Sequence, residues 1–267
     1  MISALKARGP RALVVFLAIG LVSGFMSGLF GVGGGTVIVP LLMTFALFGQ
    51  KLASGTSGAS IVLTAAVGVI SYAAHGQVDW LAALLLAIGG VVGAPLGAQL
   101  LHRLSESVVR WVFVGFLVVV MASLFFIVPD RSAGVDITVW TGVALVAVGV
   151  VTGILSGLIG VGGGVIVVPV LILAFGSSDL VAKGTSLLMM IPTTLSGAWR
   201  NAKNRNIDVV AAGVVALATV VTTPLGAIVA GVVDPFLANI LFVCFLVVIA
   251  AQMAQKAIRA SRKKKED

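Results

Sequence analysis

Charge is scarce in this sequence: 10% of its 267 residues are Asp, Glu, Lys or Arg, where a soluble domain carries about 25%. Ala82 to Leu101 holds no charged residue, and neither does Trp111 to Val128. Each run is close to the roughly 20 residues that cross about 30 Å of hydrocarbon at about 1.5 Å per residue. A surface helix of a soluble protein keeps a polar face for water, and these segments have none. The chain is therefore expected to be an all-α, polytopic integral membrane protein, a single membrane domain over 1–267.

Other shortages narrow the chemistry. The one cysteine, Cys244, can form no internal disulfide. There are two histidines, His75 and His102, and no paired carboxylates or metal-ligand spacing, so no metal, cofactor or catalytic residue is expected. Gly55-Thr56-Ser57-Gly58 resembles the GxSG signature of intramembrane serine proteases, but that chemistry needs a general base beside the serine. His75 lies about 27 Å further along a continuous helix, His102 falls in a loop, and a second copy of the motif ends in Leu187 rather than glycine. The glycine clusters lack the strand–helix setting and the acidic residue about 20 positions on that a dinucleotide site needs. An enzyme is disfavoured. The net charge of +8 comes from short loops and the two ends rather than one soluble surface, which argues against nucleic acid. Residues 257–267 read as a basic cytoplasmic tail at an anionic bilayer surface. Lys6, Arg8 and Arg11 precede an apolar stretch as in a signal peptide, yet the segment from Gly20 recurs in mid-chain, so an uncleaved first helix is expected.

That recurrence organises the sequence. Gly20–Pro40, GLVSGFMSGLFGVGGGTVIVP, aligns with Gly149–Pro169, GVVTGILSGLIGVGGGVIVVP. One offset of 149 − 20 = 129 then also brings Gly55-Thr56-Ser57 onto Gly184-Thr185-Ser186, Asp79 onto Asp208, Pro95 onto Pro224 and Gly97 onto Gly226. Two repeats follow, about 12–128 and 137–256. Internal repeats are a common basis of secondary transporters, with substrate held between the copies near the midplane.

Loops near 50, 77, 105, 133, 179, 203 and 234 separate eight to ten membrane segments. The two long ones, Ala12–Phe48 and Ile137–Phe175, are each interrupted by GVGGG. If each crosses once, Lys and Arg divide thirteen to four between the sides, with Lys51, Arg103, Arg110 and Lys183 outside. If each enters and returns, they divide fifteen to two, leaving Arg131 and Lys183 outside. The positive-inside rule favours the second arrangement, which makes the repeats inverted and puts both termini in the cytoplasm.

GVGGG is the most informative motif. Three successive glycines weaken a helix by roughly 1 kcal/mol each relative to alanine, and irregular backbone at membrane depth survives only inside protein or along a polar cavity. A break there opens a new helix N-terminus, whose free amides and dipole favour an anion. Backbone amides of Gly33, Gly34 and Gly35 and of Gly162, Gly163 and Gly164 are the candidate substrate ligands. Thr56, Ser57, Thr185 and Ser186, at the start of the following helices, either cap or back-bond those helices or donate to the anion. Gly20, Gly24 and Gly28, with Gly149, Gly153 and Gly157, have small-xxx-small packing spacing. Pro40, Pro95, Pro169 and Pro224 are hinge or kink candidates. Asp79 and Asp208 read as helix caps, and Trp199, Asn201 and Asn204 as interface anchors. No carboxylate is expected within a span.

The doubled G-x-x-x-G-x-x-S-G-x-x-G-V-G-G-G-x-x-x-V-P at Gly20–Pro40 and Gly149–Pro169, with Ala-x-Gly-Thr-Ser at Ala53–Ser57 and Ala182–Ser186, resembles the sulfite exporter TauE/SafE family. The resemblance implies a permease of the bacterial cytoplasmic (inner) membrane, for sulfite, an organosulfonate or another small sulfur-containing anion. The expected function is alternating access to an anion held between the repeats. An anion channel or a non-transporting membrane scaffold are the alternatives. Substrate identity, direction, coupling ion and oligomeric state are not encoded in any motif of the sequence.

Overall fold

The computed structural model describes residues 2–125, 138–234 and most positions from 236 to 258. Its helices are α1 (Ile2–Phe30), α2 (Gly35–Phe45), α3 (Gln50–Ala73), α4 (Trp80–Arg103), α5 (Glu106–Phe125), α6 (Val139–Ile159), α7 (Gly164–Phe175), α8 (Asp179–Lys203) and α9 (Val209–Val232). The described positions between 236 and 255 are helical as well. Five helical stretches are long and apolar enough to cross a membrane: Pro10–Phe30, α3, α4, α6 and α9. The chain is an all-helical polytopic membrane protein. The inter-repeat segment 126–137, with Arg131, and the tail from 259 onward lie outside the described residues.

Each GVGGG interrupts the long apolar segment it sits in, as expected. α2 has 11 residues, about 16 Å at 1.5 Å per residue, which is half a bilayer core. It turns back along α1: the Phe48 ring packs edge-on to Phe16, with centroids 6.1 Å apart. α1 and α2 therefore form a hairpin whose tip is the glycine segment. Its counterpart is α6–α7, where α7 has 12 residues.

The orientation of the repeats follows from which backbones touch. Gly20, Gly24 and Gly28 of α1 lie against Val215, Thr219 and Thr223 of α9, so these two helices run parallel. Gly149, Gly153 and Gly157 of α6 lie against Leu86, Gly90 and Ala94 of α4, the same three contacts moved by 129 residues. Both glycine stripes allow backbones to approach where any side chain would collide, which is how membrane helices gain dispersion contact without a hydrophobic drive. α3 and its equivalent α8 cross antiparallel: Gly55 abuts the Asn206 carbonyl, and Gly184 abuts the Gln77 carbonyl. Equivalent helices that run opposite ways are related by a two-fold axis lying across them. The repeats are inverted and interlocked, each packing its first helix on the other's fourth.

Basic residues collect at one end. Lys51 Nζ donates to the His102 carbonyl at 3.0 Å, Arg200 bonds Gln99, and Asn204 Nδ2 donates to the Ala98 carbonyl at 3.4 Å. The starts of α3 and the ends of α4 and α8 thus share a face, which rules out the single-crossing arrangement that placed Lys51 and Arg103 opposite Arg200. Asn201 and Asn204 do not anchor at an interface. Asn201 is buried and accepts from Asn206 Nδ2 at 3.4 Å, and Asn204 ties α8 to α4. Trp199 is exposed, with Lys203 Nζ 3.6 Å from its ring centroid, as an interfacial residue should be.

Opposite faces are expected for the turn at 74–79 and its duplicate at 203–208. In a Cys244→Ala background, single cysteines at Gln77 and Arg205 should react with a membrane-impermeant maleimide from opposite sides of sealed vesicles. Labelling of both from one side would contradict the inverted arrangement.

Candidate functional site

Two glycine tips meet where α3 and α8 cross. Gly34 and Gly163 are the N-caps of α2 and α7, with φ of 77° and 91°, values that cost an L-residue with a side chain roughly 1–2 kcal/mol. A Cβ on Gly35 would stand 2.5 Å from Val161 Cα and 2.6 Å from the Gly160 carbonyl oxygen. One on Gly164 would stand 2.6 Å from the Gly31 carbonyl oxygen and 3.1 Å from Val32 Cα. The tips therefore cross antiparallel, and both have to be bare. Gly33 and Gly162 each lie against Ile61 and Met190, equivalent residues midway along α3 and α8, so the crossing sits at half depth.

Backbone pairing stops at the tips. Gly31 N–H donates to the Ser27 carbonyl, and Val37 and Ile38 to that of Gly34. Between them, the amides from Val32 to Thr36 have no backbone acceptor among the described residues. The second tip repeats this: Gly160 donates to Ser156, Ile166 and Val167 to Gly163, and the amides from Val161 to Val165 have none. Buried donors without acceptors are costly, and two helix N-termini with their positive dipole ends lie together here. The hydroxyl of Thr36, in the first turn of α2, is also fully buried with no hydrogen-bond partner. Its equivalent is Val165, so symmetry gave no reason to single it out in the sequence.

The Thr-Ser pairs lie inside α3 and α8, in the second turn rather than at the helix start, and they brace the crossing. Ser57 Oγ donates to the Gly160 carbonyl at 2.7 Å, and Ser186 Oγ to the Gly31 carbonyl at 2.6 Å. Thr56 Oγ1 accepts from Asp208 N–H at 3.0 Å, and Thr185 Oγ1 from Asp79 N–H at 2.9 Å. All four bonds join one repeat to the other. In this conformation the serine protons hold tip carbonyls instead of standing free for an anion, and neither a cap nor a back-bond alone describes them. Asp79 and Asp208 cap α4 and α9, accepting from Ala82 and Ala211 N–H at 2.9 and 3.0 Å. Pro40, Pro95, Pro169 and Pro224 each lie inside a helix, as does Pro192 in α8.

The head of α8 holds a buried ion pair that has no charged counterpart in the first repeat. Lys183 is buried near the head of α8 and donates to Asp179 Oδ2 at 2.9 Å, with side-chain exposures of 8% and 6%. Its stem lies against Gly31 of the first tip. The equivalent positions in α3 are Gln50 and Ser54, joined in neutral form by a 3.3 Å hydrogen bond. The i, i+4 spacing of Asp179 and Lys183 was the available signal, obscured because the apolar pattern put a loop near 179.

An interlocked pair of inverted repeats, each contributing a broken hairpin to a shared centre, defines a polytopic membrane protein of the transporter class. The sequence profile of the sulfite exporter TauE/SafE family matches residues 3–132 and 145–267. The chain belongs to that family, whose members are membrane transporters and not enzymes. It is 29% identical over 206 residues to a Probable membrane transporter protein of Xylella fastidiosa (strain Temecula1 / ATCC 700964), covering 74% of this chain and 78% of that one. It is 36% identical over 112 residues to Probable membrane transporter protein YunE of Bacillus subtilis (strain 168), covering 42% of this chain and 41% of that one. A third relative, Probable membrane transporter protein MJ0441 of Methanocaldococcus jannaschii, is 28% identical over 173 residues, 61% of this chain and 62% of its own length. No solved structure matches the chain.

Removing a brace leaves a buried tip carbonyl with one bond fewer. Ser57→Ala and Ser186→Ala should each cost about 1–2 kcal/mol, read as a lower melting temperature of the detergent-solubilised protein. The double variant should be less stable than either single one. Unchanged melting in all three would show that these bonds do not hold the crossing.

Proposed function

We propose that the protein carries a small anion, namely sulfite, an organosulfonate or a related sulfur-containing anion, by alternating access between its two repeats. The observation that carries this reading is the pair of tips: two helix N-termini from opposite repeats, side by side at half depth, with amides that lack backbone acceptors. Such termini bind oxyanions without a full positive charge. Gly33, Gly34 and Gly35 of one tip and Gly162, Gly163 and Gly164 of the other would supply the N–H donors, with Thr36 adding a hydroxyl. Ile61 and Met190 cover Gly33 and Gly162, so the conformation described is a closed one. Met190 has a flexible, unbranched side chain suited to moving aside.

In this reading one hairpin rocks against the other. Ser57 and Ser186 exchange tip carbonyls for substrate oxygens as the crossing loosens on one side or the other. The basic end, with Lys51, Arg103, Arg200, Lys203 and Arg205, faces the cytoplasm, as the positive-inside rule requires, and the protein works in the cytoplasmic (inner) membrane with both termini inside. Family membership and the sulfur-anion name of the family support the substrate class.

Purified protein reconstituted into liposomes should take up one labelled anion from a panel of sulfite, sulfate, thiosulfate and organosulfonates. Uptake should saturate and be accelerated by unlabelled anion on the other side. Gly34→Ala or Gly163→Ala, each forcing a side chain to positive φ at an N-cap, should weaken apparent affinity on the order of tenfold, equivalent to about 1.4 kcal/mol. Gly58→Ala, which meets nothing within 4 Å, should transport normally. Flux that never saturates, with single-channel currents, would replace the carrier with a pore. Normal transport by both tip variants would remove the tips from the pathway.

A further inference from the structure

The buried pair Asp179–Lys183 is not needed to build α8. At the equivalent place in α3 the same i, i+4 link is made by Gln50 and Ser54, both fully buried and uncharged. Two charges have been placed in one repeat where the other manages without them, and taking charges out of water is costly even when they are paired. Their position is specific. The Lys183 stem packs on Gly31, with Cα, Cβ and Cγ 2.6–2.8 Å from where a Gly31 side chain would begin. Ser186, less than one turn on, holds the Gly31 carbonyl. The Lys183 stem thus borders the first glycine tip, while its ammonium turns back one helical turn to Asp179. The ammonium has three protons, of which one is directed to Asp179 Oδ2. The other carboxylate oxygen, Oδ1, is buried with no partner at all.

Few ionisable groups share this end among the described residues; Asp234, just beyond α9, accepts from Phe236 N–H at 3.0 Å. α6, α7 and α9 contain no Asp, Glu, His, Lys, Arg or Tyr. On α3, Tyr72 is the one ionisable group near this end, and its hydroxyl donates to the Gly28 carbonyl at 2.6 Å. His75, in the turn beyond α3, is exposed and bonds the Ser71 carbonyl. Asp79 at the head of α4 accepts from Ala82 N–H. Arg11 of α1, Lys51 of α3, His102 and Arg103 of α4, Glu106 and Arg110 of α5, and Arg200 and Lys203 of α8 belong to the opposite, basic end.

We propose that Asp179 and Lys183 form a proton-linked switch, so that one proton crosses with each anion. The inference rests on the reading that an anion binds at the tips. An arriving anion draws the Lys183 ammonium away from Asp179. The carboxylate, left buried without its cation, takes one proton from water in the compartment the site then faces. An O–H bond forms on Asp179, nothing is oxidised or reduced, and with a singly charged anion the site stays neutral: ammonium plus carboxylate becomes ammonium plus anion plus carboxylic acid. On the far side the anion leaves, Lys183 returns, and the proton departs to water. The two repeats share the backbone machinery, and one of them supplies the coupling.

The test measures protons moved per anion in proteoliposomes containing a trapped pH indicator, with the membrane potential clamped by potassium and valinomycin. The probe is the fastest-moving anion of the sulfite, sulfate, thiosulfate and organosulfonate panel. Wild-type protein should carry one more proton per anion than Asp179→Asn, a difference that cancels any proton borne by the anion itself. Asp179→Asn should still exchange labelled for unlabelled anion but lose accumulation driven by a pH gradient. Lys183→Met should weaken apparent anion affinity at least tenfold. Asp179→Gln/Lys183→Ser, which copies Gln50 and Ser54 and so keeps a helix link already used by this fold, should lose proton-linked accumulation even if the single variants fail to assemble. Equal proton-to-anion ratios in wild type and Asp179→Asn, or wild-type flux that moves no proton, would overturn the switch while leaving anion transport intact. No flux of any panel anion through wild-type protein would instead overturn the anion reading on which the switch rests.

Discussion

A backbone that breaks at half depth in a membrane has to find company for its polar groups, and the architecture of this protein is organised around that requirement. Each GVGGG segment leaves an unwound stretch and a fresh helix N-terminus where no water is at hand. The solution is mutual. The two tips cross each other, and Ser57 and Ser186 of the opposing repeats hold their carbonyls. The Gly31 and Gly160 carbonyls are satisfied in this way, but the tip amides find no backbone acceptor, and in the proposed function these donors would hold the anion.

The crossing dictates the packing around it. For Gly35 to reach Val161, and Gly164 to reach Gly31, the two hairpins must enter from opposite sides and be gripped closely by their neighbours. Glycine stripes on α1 and α6 provide the grip, bringing α9 and α4 to backbone contact. Thr56 and Thr185 then pin the N-caps Asp208 and Asp79, so the heads of α9 and α4 are tied to the helices that brace the tips. A displacement at one tip is thereby transmitted to a whole long helix of the other repeat, which is the linkage that rocking between repeats requires.

Much of this was legible in the sequence because duplication doubles every signal. The 129-residue offset revealed the repeat, the glycine triplets the breaks, the loop charges the inversion, and Asp79 and Asp208 the caps. What escaped was whatever the symmetry did not repeat. Thr36 faces no twin hydroxyl, and the Asp179–Lys183 pair stands where the other repeat has neutral Gln50 and Ser54. Asn201 and Asn204 were misplaced for another reason: polar residues near a span end look alike whether they meet headgroups or bind a neighbouring helix. The hydroxyls at 57 and 186 were recognised as important, but a partner 103 or 155 residues away is invisible to local pattern.

In the proposed function, the bare amides of the two opposed glycine tips form one shared binding centre. Nuclear magnetic resonance of [15N]glycine-labelled protein in nanodiscs, titrated with the transported anion, tests it most directly. The amide signals of Gly33, Gly34, Gly162 and Gly163 should shift together along a single saturation curve, while those of Gly58 and Gly231, which meet no neighbouring atoms, stay still. Saturable binding that leaves all four tip signals unmoved would contradict the claim.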